Sequence, residues 1–174
     1  MKINAEKFLN NINQYKFEKT VFFLTGNEEG LINKVQNIIL SKHKPNIYSE
    51  TRILDLKTDN KVDLKELTHT QSLFSKSNIF QIKNPNDSLI KSLEKTNYGN
   101  NTIIINGANI KNNSKIKKYF DFHKKFYSIA CYKLTKAFKK KLVDKLFDQN
   151  SCKLSKEAYW FFLENSSNDY QILE

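Results

Sequence analysis

The sequence has little cysteine, a single arginine and no long apolar run. The two cysteines, Cys131 and Cys152, have no CxxC partner and no histidine cluster beside them, which favours free thiols in a reducing compartment. No stretch approaches the roughly 20 apolar residues of a membrane helix, and the amino-terminal segment lacks the pattern of a cleaved signal peptide. We therefore expect a soluble, cytoplasmic protein with no membrane partner.

The chain is rich in apolar residues and in positive charge. Hydrophobic residues make up 39% of its 174 residues and aromatic residues 13%, which is enough to form a core in a chain of this length, so global disorder is excluded. The net charge of +11 arises from 29 basic and 18 acidic residues, and Arg52 is the only arginine. Such a charge favours non-specific association with nucleic acid but identifies no binding site.

Apolar and β-branched runs alternate with segments of helical spacing over most of the chain. The chain opens with an amphipathic helix. The predicted strands cover residues 21–24, 53–56, 78–82, 102–105 and 127–132. Because parallel neighbours need a crossover connection between them, we predict an α/β fold with a parallel five-stranded sheet flanked by helices.

The pattern changes to helices alone after residue 134. Thr135 and Ser155 stand where N-caps would begin two consecutive helices, and a third helix is predicted from Tyr170. We therefore predict an α/β domain over residues 1–134 and a small all-helical domain over residues 135–174.

The turn after the strand predicted at residues 21–24 is where a phosphate-binding loop would lie. A P-loop needs the pattern GxxxxGK[ST], whose lysine and hydroxyl contact the outer phosphates and the metal. The corresponding residues are Gly26, Asn27, Glu28, Glu29 and Gly30. Carboxylates at a helix N-terminus satisfy the positive end of its dipole and repel phosphate. We expect this degenerate phosphate loop to bind no nucleotide.

The sequence shows no arrangement typical of catalysis or of metal binding. The predicted strands do not end in the Asp-Glu pair that would hold Mg²⁺. The three histidines, His43, His69 and His123, lie in different segments with no cysteine or carboxylate at ligand spacing. We therefore expect no metal, no cofactor and no catalytic residue.

An apolar pair, Leu73 and Phe74, follows Ser72 in the polar segment before the strand predicted at residues 78–82. Exposed apolar side chains at a loop tip can anchor in a hydrophobic pocket of a partner, where a few such residues supply most of the affinity. The alternative is that both side chains cover the local core.

A lysine cluster in the first helix after residue 134 also has two interpretations. Its members are Lys136, Lys139, Lys140 and Lys141. They could contact a DNA backbone, or they could form a solvated helix face, which is what such a run of charge more often is.

The order of these features resembles the δ subunit of the bacterial DNA polymerase III clamp loader. The resemblance is carried by four segments: residues 21–29, the Ser72-Leu73-Phe74-Ser75 segment, residues 102–107 with the lysine-rich helix that follows, and residues 168–174. It implies an AAA+-like fold that has lost nucleotide binding, followed by a helical lid. We expect this lid to be incomplete over residues 135–174 and the collar domain of the family to be absent.

The resemblance also implies a function and a site. Leu73 and Phe74 would enter the hydrophobic pocket of the ring-shaped β sliding clamp, and Ser72 would position their loop. Proteins of this family bind the clamp and open it for loading onto primed DNA, as a non-catalytic subunit of the polymerase holoenzyme that does not itself hydrolyse ATP. The implied partners are the β clamp, the γ/τ and δ′ subunits through the collar, and DNA within the complex.

Two other interpretations stay open. One is a DNA-binding structural module that uses the lysine-rich helical face, which predicts steep salt dependence. The other is an enzyme of the doubly wound class with a degenerate site, which predicts affinity for ATP or another nucleotide.

Overall fold

The computed structural model describes residues 1–15, 17, 21–43, 49–58, 64, 77–108 and 110–173. The chain divides into two compact units, Met1–Cys131 and Tyr132–Glu174. The domain boundary predicted after residue 134 falls close to this division. Within the described ranges, no helix combines the length and the apolar character that crossing a membrane requires.

The first unit is a parallel sheet flanked by helices. Its strands are β1 (Lys2–Asn4), β2 (Val21–Gly26), β3 (Ser49–Asp55), β4 (Ser77–Lys83), β5 (Thr102–Ala108) and β6 (Tyr127–Cys131). Its helices are α1 (Ala5–Asn10), α2 (Glu29–His43), α3 (Ser88–Lys95) and α4 (Lys115–Phe122), with a 3₁₀ turn at Ile12–Gln14. The α/β class with a parallel sheet and flanking helices, predicted from the alternation of patterns, is confirmed.

The strands lie in the order β1-β6-β2-β5-β4-β3, and every neighbouring pair is parallel. β2 lies between β6 and β5, and all six of its residues are buried. A strand enclosed on both edges and both faces is a continuous apolar run in sequence. Residues 21–24 accordingly form an unbroken apolar run.

The sheet has six described strands instead of the predicted five. The additional strand, β1, has three residues and pairs with β6, with Ile3 opposite Ile129. Of these three residues only Ile3 is buried. A strand this short shows too little alternation to be detected, so the sequence predicted only the helix that follows it.

The two faces of the sheet are covered by different helices. α1 and α2 contact the sheet at β2, β5 and β6. On the other face, a core cluster joins the sheet to α3 and α4, and in it the ring of Phe23 stacks on that of Phe120 at 4.3 Å. Neighbouring residues of β2 point to opposite faces, so Phe22 lies on the α2 side and is fully buried there.

The second unit is helical. It contains α5 (Lys136–Gln149), α6 (Lys156–Asn165) and α7 (Tyr170–Leu173). The predicted N-caps are confirmed: the Thr135 hydroxyl accepts a hydrogen bond from the Phe138 N–H at 3.2 Å, and the Ser155 hydroxyl accepts one from the Ala158 N–H at 3.2 Å. α5 and α6 are joined by the Tyr159 hydroxyl, which donates to the Asp144 carboxylate at 2.6 Å.

Candidate functional site

The candidate site is the turn that joins β2 to α2, residues 26–30. Open α/β sheets bind ligands outside the carboxyl ends of their strands. β2 ends at Gly26, whose partners are Ala108 of β5 and Cys131 of β6. The turn therefore begins at the edge of the sheet where a nucleotide would be expected to bind.

Gly26 brings this turn into direct contact with the end of β6. Its φ angle is +134°, a conformation that L-residues rarely adopt, and a Cβ built on it would lie 1.8 Å from the carbonyl oxygen of Cys131. The same carbonyl accepts a hydrogen bond from the Glu28 N–H at 3.2 Å. Only glycine allows this close approach.

The carboxylate of Glu28 occupies the N-terminus of α2. Its Oε2 accepts a hydrogen bond from the Leu31 N–H at 2.6 Å and its Oε1 accepts one from the Gly30 N–H at 3.3 Å. The side chain is buried, with 4% of the residue exposed. These N–H groups at the start of a helix are the donors that a bound phosphate would use. They are satisfied by the protein's own negative charge.

The two carboxylates that the sequence placed at this helix start have different roles. Glu29 is the first residue of α2 and is exposed, whereas Glu28 is buried and makes both capping hydrogen bonds. The sequence pattern could not separate them, because either residue could have reached the free N–H groups.

Cys131 lies on the other side of the turn. Burial raises the pKa of its thiol, and the negative charge of Glu28 raises it further, to about 12. Because the thiolate is the reactive form of cysteine, this thiol stays protonated and unreactive at neutral pH. The Cys131 side chain is buried and packs at the end of β6 as a small apolar group would.

A carboxylate that the sequence analysis did not single out ends the edge strand β3. Asp55 accepts hydrogen bonds from the Asn84 side-chain amide at 2.8 Å and from the Lys57 N–H at 3.0 Å. The bond from Asn84 lowers the pKa of Asp55 most strongly. Asn84 is 29 positions away in sequence, so only the pairing of β3 with β4 could reveal this contact.

Among the described residues, no group of three histidines, cysteines or carboxylates could hold a metal ion.

Ser72, Leu73 and Phe74 lie outside the described residues. Their proposed contact with a sliding clamp stays a prediction from the sequence.

The four lysines proposed as DNA contacts do not share one exposed face of α5. Lys136 and Lys141 are exposed. Lys139 is buried, and its ammonium group donates to the Ser166 carbonyl oxygen at 2.6 Å. The reason is helical spacing: Lys139 shares a face with the buried Val143, four residues further along. The structure therefore removes Lys139 from the proposed face.

Lys140 is exposed, but its positive charge is balanced by an acidic neighbour. Its ammonium group forms an ion pair with Asp144 at 2.8 Å, and it lies 5.6 Å from the ring centroid of Tyr159. Of the four predicted lysines, Lys136 and Lys141 keep the environment that a solvated or DNA-facing position requires.

Replacing Glu28 with alanine is expected to lower the free energy of unfolding by about 2 kcal/mol, the upper end of what loss of a helix cap costs. The buried N–H groups of Gly30 and Leu31 would lose their acceptor. The matched control is Glu29→Ala, which removes an exposed charge from the same helix turn and should cost about 0.5 kcal/mol. Urea unfolding of both variants measures the difference, and equal losses would contradict the capping role of Glu28.

Comparison with known proteins gives a likeness of fold. No protein-family model matches the sequence, and no curated protein matches it. The solved structure of the Bacillus subtilis DNA clamp loader delta protein is similar, with a TM-score of 0.57 and 14% identity, over 97% of this chain and 55% of that protein. The chain thus spans about half the length of that protein. At this identity the likeness shows the fold alone.

Two further structures are similar at lower scores. Domain III of the Thermotoga maritima replication initiation protein DnaA has a TM-score of 0.49 and 13% identity, over 97% of this chain and 78% of that one. Drosophila ORC bound to DNA has a TM-score of 0.46 and 12% identity, over 90% of this chain and 49% of that one. Neither score is high enough to support an argument about this chain.

Proposed function

We propose that this protein is a replication component of the clamp-loader δ type that does not hydrolyse ATP. The observation that carries the proposal is the Glu28 carboxylate at the N-terminus of α2, in a fold that is similar to that of the Bacillus subtilis delta protein. A phosphate at this place would have to displace a buried carboxylate that already holds two N–H groups. The repulsion between the two anions opposes nucleotide binding.

A fold of this class without a nucleotide site must act through its surfaces. In the proposed mechanism, Leu73 and Phe74 insert into a hydrophobic pocket of the β sliding clamp, and Ser72 positions their loop. Buried apolar anchors of this kind supply most of the affinity of an interface. The protein would favour the open ring if it bound that form more tightly than the closed one, because a ligand shifts an equilibrium only through differential affinity.

The proposed partners follow from this role. They are the β clamp, the γ/τ and δ′ subunits of the loader, and DNA within the assembled complex. In this role the protein is a non-catalytic subunit of the polymerase III holoenzyme, and hydrolysis of ATP takes place in the sister subunits.

The test is calorimetric titration of the 174-residue chain into the β clamp of the same organism. We expect micromolar or tighter binding, and we expect Leu73→Ala/Phe74→Ala to weaken it about a hundredfold, as loss of central anchor residues does. The neighbouring variant Ser75→Ala, in the same segment, serves as the control and should bind as the unmodified protein does. Circular dichroism establishes that each variant is folded.

Two outcomes would contradict the proposal. The first is that the folded protein does not bind the clamp, or binds it equally well without the two apolar side chains. The second is that it binds ATP in the same calorimeter, which would favour an enzyme of the doubly wound class.

A further inference from the structure

A groove of about 740 Å³ lies at the opposite end of the sheet from the Glu28 turn. It is formed between the end of α3 with the segment leading to β5, and the end of α4 with the segment leading to β6. Its volume falls within the roughly 300–1,000 Å³ of small-ligand sites. No residue of the sequence-predicted sites lines it.

Aromatic rings form much of the wall of this groove. The lining includes four of them, Tyr98, Tyr119, His123 and Phe126. The His123 ring stacks on that of Phe126 at 3.8 Å, with 12° between the planes, and the Tyr119 ring lies 5.1 Å from that of His123. Tyr98, Tyr119 and His123 are each half-buried, so part of each ring remains accessible.

The two tyrosines keep uncharged rings at neutral pH. Burial raises the pKa of Tyr98, and the neighbouring Tyr119 and Glu94 raise it further. The pKa of Tyr119 is also raised, by burial first and by Glu94 second. Neutral phenol rings offer a flat, apolar surface to a planar ligand.

The turn that carries His123 is held in place by the start of the chain. The amino group of Met1 donates to the carbonyl oxygens of His123, at 2.7 Å, and of Phe126. Within the turn, the Lys125 N–H donates to Nδ1 of His123 at 3.3 Å. The groove wall is therefore built before any ligand binds, which reduces the entropy cost of binding.

The charge around the groove favours an anion. Lys124 and Lys125 line it and are exposed, whereas Glu94 is the one acidic residue in the lining.

Phe122 directly precedes this turn, and its 84% exposure is the highest of any large apolar side chain in the described part of the protein. A solvated aromatic ring next to lysines is the combination with which proteins hold single strands, where bases stack and phosphates meet positive charge.

We propose that this groove binds single-stranded nucleic acid, with a base stacked on the accessible aromatic rings and the phosphates against Lys124 and Lys125. Two features of the groove support a single strand over a duplex. Paired bases are already stacked on their neighbours, so a duplex leaves no base face for the rings. The groove is also of ligand size, whereas a duplex contacts an extended surface. The proposal is independent of clamp binding and of the lysines of α5.

The experiment is fluorescence anisotropy of a labelled oligo-dT with the full chain, over a series of salt concentrations. Lys124→Gln/Lys125→Gln is expected to weaken binding about tenfold at low salt and to make the slope of log K against log salt shallower by about 1.4, because each phosphate contact to a single strand contributes about 0.7. Tyr119→Leu, which removes an aromatic ring from the groove wall, is expected to weaken binding about tenfold through lost stacking. Lys124 and Lys125 are exposed and Tyr119 is half-buried, and circular dichroism establishes that each variant is folded.

The matched control is Lys153→Gln/Lys156→Gln, which removes the same charge from two exposed positions outside every site considered above. It should change the affinity less than threefold. An abasic oligonucleotide of the same length and a duplex should both bind about tenfold more weakly than oligo-dT. The proposal is overturned if the control pair weakens binding as much as the groove pair, or if duplex and abasic strands bind as tightly as oligo-dT.

Discussion

Gly26→Ala is expected to lower the free energy of unfolding by about 4 kcal/mol, the sum of backbone strain and overpacking. The new Cβ would lie 1.8 Å from the Cys131 carbonyl oxygen and 2.5 Å from its carbon, so the ends of β2 and β6 would have to separate. That movement would also break the hydrogen bond from the Glu28 N–H to the same oxygen. Because folded domains are stable by only about 5–15 kcal/mol, this methyl group would remove a large part of the total.

Gly99→Ala is the matched control for this substitution. Gly99 also has a positive φ, +52°, but a Cβ built on it meets no atom within 4 Å. Gly99→Ala should lower the free energy of unfolding by about 1 kcal/mol, the cost of a left-handed backbone conformation alone. Urea unfolding measures the free energy that each variant loses. The difference between the two losses is the cost of the close contact at Gly26, apart from the cost of the backbone conformation. If both lost the same free energy, the contact between Gly26 and Cys131 would not be what stabilises the turn.

Asp121→Ala is expected to lower the free energy of unfolding by about 3 kcal/mol, because it leaves a buried charge unpaired. The Lys117 ammonium is buried and pairs with the Asp121 carboxylate at 3.0 Å. The Ser128 hydroxyl of β6 donates to the same carboxylate at 2.6 Å, and Lys2 of β1 pairs with it at 2.8 Å. Asp121 therefore ties α4 to the two strands at one edge of the sheet.

Two further variants identify the source of this loss. Lys117→Met in the Asp121→Ala background should recover part of the stability, since the unpaired buried charge is then gone. Lys2→Ala should cost about 0.5 kcal/mol or less, because the Lys2 side chain is 57% exposed and its ion pair is solvated. Failure of the Lys117→Met rescue would show that packing, and not the buried charge, explains the effect of Asp121→Ala.

The contribution of Asp121 depends on pH in a defined direction. Burial by itself raises the pKa of this carboxyl, but the hydrogen bonds from Lys2, Ser128 and Lys117 outweigh burial, so the pKa lies below its ordinary value of 3.8. The folded state thus binds the proton less tightly than the unfolded state. The stabilisation is complete above about pH 4 and is lost as the pH falls through the lower pKa of the folded state. The difference between the unmodified protein and Asp121→Ala should therefore shrink below about pH 4.

Much of the secondary structure could be predicted from the sequence. The strand predicted at residues 102–105 is part of β5, and Thr135 and Ser155 cap the helices that they were expected to cap. These features depend on a residue and its near neighbours: a β-branched run favours a strand, and a hydroxyl three residues before a free N–H can cap it. The strand β1 was missed because three residues give no pattern.

The candidate site was predictable in part. The sequence indicated that carboxylates stand at the start of α2, but it could not tell that Glu28 is the buried cap and that Glu29 is exposed. It also grouped Lys139 with its exposed neighbours, although the ammonium group of Lys139 contacts Ser166, 27 positions further along the chain. The aromatic rings that line the groove come from segments on either side of β5. No local sequence pattern therefore indicated that they lie together.

The sequence by itself determined the α/β class, the positions of most strands and helices, and the absence of a lysine–hydroxyl pair at the phosphate loop, because these are properties of short segments. Only the tertiary structure decided the order of the strands and the close contact of Gly26 with the Cys131 carbonyl. It also decided that the Asp121–Lys117 ion pair is buried and contacts β1 and β6. Each of these depends on a contact between elements that the chain separates. Such contacts form when apolar faces are buried together, and the local sequence does not specify which faces meet.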